Sequence, residues 1–375
     1  MFGDTPLKDA RDEAARELDT RIRRFIVAHD PPALGFERLA LDLFAYQYER
    51  NEPYRRYCDR YGRRPADVRS WRDVPAVPAA SFAGARLACF PPEETVLTFV
   101  SSGTTSAGAT PSSHELDTAA LYDASLLEHY RARVLPDATS MRLIALAPSF
   151  AEAPRSSLSY MLSKIGAVLG EPGGGCFVRD GRLLFDELSA ALGEGGDPVV
   201  VFGTAFAFVH FFDKCRADGV HFRLPIGSRV VETGGFKGRS REIAREELYA
   251  GFSEFLGVPR LLCISEYGMC ELGSQWYDAN LDDYFAGRSP RVDLKVSPHW
   301  ARAQIVDPVT AEPVADGDEG LVCLYDLSNR GSVCAVLTAD VARAQGEGFV
   351  LLGRFAGAPP KGCSIAADAL LNADD

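Results

Sequence analysis

Apolar residues recur at helical spacing over the first fifty positions, and then the period changes. Leu7, Ala10, Ala14, Leu18, Ile22 and Phe25 share one helical face, behind Thr5-Pro6 as N-cap and first-turn proline. Phe36, Leu39, Leu43, Phe44 and Tyr46 mark a second helix. Residues 1–72 are therefore expected to form a helical cap. From Asp73 onward, short apolar runs at 142–147, 198–202, 229–232 and 260–264 read as strands. Helical stretches near 117–134, 156–169, 205–218 and 240–256 separate them. This alternation predicts an α/β fold, with largely parallel sheets flanked by helices and ligands gathered at the carboxyl ends of the strands. Beyond Pro290 the strands at 303–306, 321–325, 333–337 and 349–352 are joined by turns such as Asp316-Gly-Asp. They predict a small, mostly antiparallel β module over 290–355.

Composition narrows the class. The chain has 375 residues, of which 46% are hydrophobic and 25% charged, as in an ordinary globular protein. Its length calls for more than one packed subdomain. The net charge of −12 argues against a nucleic-acid or anionic-membrane partner. Nine scattered cysteines, with no CxxC pair or Cys/His cluster, favour reduced thiols and a cytoplasmic setting over a disulfide framework or a zinc site. Residues 1–30 are charged throughout, so neither a signal peptide nor a membrane span is expected there.

The densest chemistry lies in Phe99-Val-Ser-Ser-Gly-Thr-Thr-Ser-Ala-Gly-Ala-Thr-Pro-Ser-Ser-His114. An apolar strand end runs into Ser101, Ser102, Gly103, Thr104, Thr105 and Ser106. Hydroxyls and flexible glycine backbone of this kind can wrap a polyphosphate. No Gly-Lys-Ser/Thr closes the loop, so it is not the common P-loop. A solvated Ser/Thr-rich turn is the alternative.

Three further segments follow in order: Glu266-Tyr-Gly-Met-Cys-Glu271, Leu337-Thr-Ala-Asp340 and Gly348-Phe-Val-Leu-Leu-Gly-Arg354. Together with the loop they resemble the adenylate-forming superfamily of acyl-CoA synthetases, aryl ligases and adenylation domains. Ser-Ser-Gly-Thr-Thr with Pro-Ser-x-His, Gly234-Gly-Phe-Lys-Gly238 and Lys361-Gly-Cys-Ser364 are similar to LuxE-type acyl-protein synthetases in particular. The resemblance covers roughly residues 73–367 and implies a large adenylation domain over 1–355, with a short tail over 356–375.

The resemblance implies an ATP-dependent enzyme that activates a carboxylic acid, expected to be fatty, as acyl-AMP. ATP and Mg2+ are then the implied cofactors. Ser101, Ser102, Gly103, Thr104, Thr105 and Ser106 match the phosphate loop, though the family's loop lysine is missing. Phosphate charge would fall to His114 and Lys237, His114 being otherwise a structural polar residue. Glu271 matches the Mg2+ ligand, and a hard oxygen donor suits that ion; a solvent-facing glutamate at a helix start is the alternative. Glu266, Tyr267, Gly268, Met269 and Cys270 complete that motif, with Tyr267 against the adenine. Cys270 replaces the usual threonine and is a poorer donor. Gly234, Gly235 and Phe236 match a turn that flanks adenine. Asp340 matches the residue that grips the ribose hydroxyls, and Arg354 a second nucleotide contact; a surface ion pair between the two is the alternative.

For the acyl pocket, Pro148-Ser-Phe150 and Arg155-Ser-Ser-Leu-Ser-Tyr-Met161 match the start of the substrate wall. Phe202, Phe206, Phe208, Phe211 and Phe212 read as core. Only 21 residues follow Arg354, so the family's mobile C-terminal domain and its lysine are expected to be nearly absent. In the LuxE-like group a cysteine near this end accepts the acyl group as a thioester, which here points to Cys363. Thiolate is a strong nucleophile, and the nearby Lys361 would lower its pKa. A protein partner, either a reductase or a carrier protein, would then take the acyl group. A carboxylate–CoA or carrier-protein ligase and a non-catalytic nucleotide-binding protein stay open as alternatives.

Overall fold

The computed structural model describes residues 12–101, 110–234 and 244–355. Thr5, Leu7 and Ala10, Ser102 through Ser106, Gly235, Phe236, Lys237, Lys361 and Cys363 lie outside the described residues.

One sheet organises the molecule. Its parallel half runs Gly175–Cys176, Arg142–Leu146, Val199–Thr204, Arg229–Thr233, Cys263–Tyr267 in spatial order. Every residue of Arg229–Thr233 is buried, as expected of an inner parallel strand covered on both faces. Helices Ala120–Val134, Ser157–Leu169 and Ala205–Asp218 cover this half, close to their expected bounds. The sheet then turns antiparallel through Trp276–Asp278, Leu294–Val296, Gly348–Arg354, Ala335–Gln345, Glu319–Asp326 and Ala301–Val306. The antiparallel strands expected after Pro290 thus continue the parallel sheet edge to edge.

The helical cap packs on the antiparallel half. Within the described residues the first helix is Glu13–Ile26, started by Asp12, whose carboxylate accepts the Ala15 N–H at 2.7 Å. Ala15 rather than Ala14 is buried on it, alongside Leu18, Ile22 and Phe25. In helix Gly35–Arg50 all five expected core residues are buried. These side chains share a core with Val322, Leu324 and Val336 of the sheet. Phe202, Phe208, Phe211 and Phe212 are buried and Phe206 is partly so.

Two expectations need correction. The strand before the Ser/Thr loop, Leu97–Val100, does not belong to the parallel sheet. It forms a two-stranded antiparallel ribbon with Ser113–Leu116, pairing Phe99 with His114. Only Phe99 of its four residues is fully buried, a pattern for a ribbon on the surface of the core rather than an inner strand. The strand expected at 260–264 begins later, at Cys263. Residues Arg260–Leu262, after Pro259, form a 3-10 turn whose Leu261 carbonyl accepts from Asn280 Nδ2 at 2.7 Å. The shift carries Glu266 and Tyr267 into the strand's carboxyl end. No helix among the described residues is long and apolar enough to cross a membrane.

Candidate active site

The segment Glu266-Tyr-Gly-Met-Cys-Glu271 leaves the carboxyl end of strand Cys263–Tyr267, where an open α/β sheet places its ligands. A buried ion pair fixes that strand end. Lys295 Nζ reaches Asp278 Oδ1 at 2.5 Å and the Ser265 carbonyl at 3.0 Å, while Asp278 Oδ2 accepts the Ser265 N–H at 2.9 Å. Sequence reasoning missed this pair, because Asp278 and Lys295 lie on short strands with no motif around them.

Glu266 follows. Its carboxyl is buried, and Oε2 accepts from the Thr233 hydroxyl of the neighbouring strand. Burial, with Glu232 adding to it, pushes its pKa up to about 7, against the pull of Thr233 and Lys295. A side chain at position 268 would bring its Cβ to 2.5 Å from Glu266 Oε1, so the glycine of the motif answers to close approach.

Because Glu266 holds its proton higher in the folded chain than the ordinary 4.5, folding is coupled to pH. Its contribution is fully favourable below about 4.5 and lost as pH rises through 7. His114 and His129, pushed down to about 4 and about 3 by burial, act oppositely and lose stability for the fold below 6.5. Comparing wild type with Glu266→Gln isolates the glutamate. The glutamine variant should gain on the order of 3 kcal/mol at pH 8 and little at pH 4.5. Thermal melts across this range check the result; a pH-independent difference would contradict it.

Tyr267 points the other way, toward the antiparallel half. Its hydroxyl donates to Asp340 Oδ2 at 2.7 Å, joining two motifs 73 residues apart. The ring meets Phe349 edge-on at 5.9 Å. Asp340 lies within strand Ala335–Gln345, paired in register with Arg354, whose Nε stands 3.4 Å from Asp340 Oδ1. Side-chain exposure is 22% for Asp340 and 55% for Arg354, so both reach solvent at the sheet's edge. The strand is longer than the sequence pattern implied, and that extension creates the cross-strand pair.

Glu271 is 6% exposed, and its carboxylate has no hydrogen bond or ion pair among the described residues. Its oxygens are not among the buried polar atoms closed off without a partner, so the carboxylate is an open hard-oxygen donor, the type Mg2+ takes. The chemistry of this donor is compatible with Mg2+. No cluster of three or more His, Cys, Asp or Glu suited to a metal occurs among the described residues.

His114 ties the ribbon to this motif. Its Nδ1–H donates to the Cys270 carbonyl at 2.7 Å, with the ring fully buried. Its depressed pKa leaves the imidazole neutral at pH 7, so it brings a hydrogen bond rather than a charge. Two residues along the ribbon, Ser101 N–H donates to the Ser112 carbonyl at 3.0 Å, and Ser101 Oγ accepts the Ser112 N–H at 2.9 Å. The mouth of the Ser/Thr loop is thereby closed beside the Glu271 motif. Arg155 O accepts the Val100 N–H at 2.9 Å, which brings the expected substrate-wall stretch to the same place. There Phe150 meets Tyr160 at 5.1 Å, and Tyr160 meets Phe99 at 5.5 Å. Gly234 ends strand Arg229–Thr233 with φ +67, a left-handed turn that glycine adopts without strain.

The geometry thus gathers Ser101, His114, Glu266 through Glu271, Asp340 and Arg354 around one end of the sheet. Residues 23–371 match the family model described as "Acyl-protein synthetase, LuxE". Among solved structures, 2-hydroxyisobutyryl-CoA ligase in the postadenylation state in complex with 2-HIB-AMP is similar with a TM-score of 0.62 at 17% identity, over 89% of this chain and 74% of that one. The same ligase in complex with 2-HIB-AMP and CoA in the thioesterification state gives 0.57 at 18% identity, over 88% and 70%. At such identities the likeness is one of fold. No curated protein matches the chain.

Proposed function

Since the chain belongs to the LuxE acyl-protein synthetase family, and is therefore an ATP-dependent ligase that activates a carboxylic acid, we propose a two-step reaction that ends on a protein. In the first step an oxygen of a carboxylic acid, fatty in our reading, attacks the α-phosphorus of ATP. Pyrophosphate leaves and acyl-AMP forms. In the second step the Cys363 thiolate attacks the acyl carbon, AMP leaves, and a thioester remains. A nucleophile on a partner protein, a reductase or a carrier, then takes the acyl group and frees the thiol.

The observation that carries the reading is the hydrogen bond to Asp340 from Tyr267, four residues before Glu271, whose carboxylate has no partner among the described residues. It supports one nucleotide site shared between the two halves of the sheet. Asp340 carries two acceptor oxygens at an exposed edge, as a ribose diol needs. Tyr267 holds one of them in place and offers a ring face to the base. The motif backbone, the Ser/Thr loop and Lys237 supply donors for the phosphates. A magnesium ion on Glu271, when bound, would screen the charge that builds on the phosphates. The Phe150–Tyr160 aromatic group supports an apolar wall for the acid.

The experiment is acid-dependent exchange of labelled pyrophosphate into ATP, with acids of graded chain length. Exchange with long-chain acids supports the reading, and none with any acid would leave a nucleotide-binding protein. Within that assay Asp340→Asn should raise the ATP requirement about tenfold, the loss of one or two charged hydrogen bonds. Acid preference should not change. With 2′-deoxy-ATP, which lacks one of the hydroxyls, the same substitution should matter less; an equal, small response to both nucleotides would contradict the ribose role.

A further inference from the structure

Glu271 sits in a loop segment whose main chain is held from both sides by residues outside every motif. On one side Asn329 Nδ2 donates to the Glu271 carbonyl at 3.0 Å and to the Val333 carbonyl at 2.7 Å. On the other, Asp326 Oδ2 accepts the N–H groups of Gly273 at 3.0 Å and Ser274 at 2.8 Å. Its Oδ1 accepts the hydroxyls of Ser274 and Ser328 at 2.7 and 2.6 Å and the Ser328 N–H at 2.9 Å. Asp326 is fully buried, and no cation is paired with it among the described residues. A buried carboxylate is a poor device for stability alone, since its desolvation consumes most of what its hydrogen bonds return. Here five donors converge on it to fix one loop conformation. Packing is tight as well: a Cβ at Gly273 would fall 2.5 Å from Ser328 Oγ.

The position of Asp326 in the sheet adds a second constraint. It ends strand Glu319–Asp326, which pairs along its length with the strand that carries Asp340. Asp326 thus binds the Glu271 loop to the part of the sheet on which Asp340 rides.

We infer that Asp326 and Asn329 are positioning residues that set the Glu271 carboxylate against the nucleotide held at Asp340. The inference rests on the nucleotide reading above. Neither residue touches substrate in this assignment. Each acts through the main chain around Glu271, and so on the metal-dependent part of ATP binding alone.

The test is ATP binding by calorimetry with and without Mg2+, together with Mn2+ binding followed by electron paramagnetic resonance. Asn329→Ala and Asp326→Asn should each reduce the metal-dependent tightening about tenfold, the usual size of an effect transmitted through a ligand's supports. Metal-free ATP affinity should stay within about twofold. A purely structural role would lower both together or neither, and either pattern overturns the inference. Glu271→Gln is the reference. If it removes the tightening and the other two do not, the positioning claim alone fails. If Glu271→Gln itself leaves the tightening intact, the nucleotide reading fails and the inference falls with it. Should Asp326→Asn not fold, Asn329→Ala decides the matter.

Discussion

Glu271→Gln is expected to lower acid-dependent pyrophosphate exchange by about 10²-fold or more, the scale seen when one preorganised charge-stabilising group is lost. Glu271 lies in a largely buried segment, and nothing among the described residues pairs with its carboxylate, which is left open to a ligand. Glutamine keeps the shape and removes the charge. No hydrogen bond or ion pair of the carboxylate is lost among the described residues, so the variant should melt close to wild type. Its residual activity should need more Mg2+ for half-saturation. Stability and activity therefore move apart. A variant that is inactive because it is unfolded would show neither feature, and a fully active one would return Glu271 to an ordinary surface-proximal acid.

The second large effect is expected from Cys363→Ser. Serine keeps the size of the side chain, but its hydroxyl is not ionised near neutral pH. Pyrophosphate exchange should stay near the wild-type rate, because activation precedes acyl transfer. Hydroxylamine-sensitive labelling of the protein by radioactive acid plus ATP should fall to background. Cys270 supplies the internal comparison: it is buried in the segment Glu266–Glu271, where its carbonyl accepts from His114. Its replacement should affect the first step. Loss of exchange in Cys363→Ser would place that cysteine in activation instead.

What could be read from the residues alone follows a physical divide. Inner strands and amphipathic helices announce themselves, because burial on two faces or on one stripe leaves a period in the sequence. Arg229–Thr233 and Ala205–Asp218 were legible for that reason. Register and pairing were not. That Leu97–Val100 folds back on Ser113–Leu116 depends on long-range contacts, including the His114 bond to Cys270, 156 residues away. The motif residues were legible as short patterns, yet their meeting was not. Nothing local says that Tyr267 reaches Asp340, or that Ala335–Gln345 runs far enough to pair Asp340 with Arg354. The supports of the site were invisible for a further reason. Asp326, Ser328 and Asn329 form a polar run between two apolar strands, which reads as a solvated turn. In the fold the run is buried, and its side chains replace water for the loop around Glu271.

The account's central claim is that this chain makes an acyl-AMP and then carries the acyl group itself. The most direct measurement is peptide mass spectrometry of the protein after incubation with ATP, Mg2+ and a fatty acid. The account predicts an ATP-dependent mass increase equal to the acyl group, removed by neutral hydroxylamine and mapped to the peptide that contains Cys363. An acyl group on a different cysteine, or pyrophosphate exchange with no protein-bound acyl for any acid that supports it, would contradict the claim and make a ligase acting on CoA or a carrier thiol the better description.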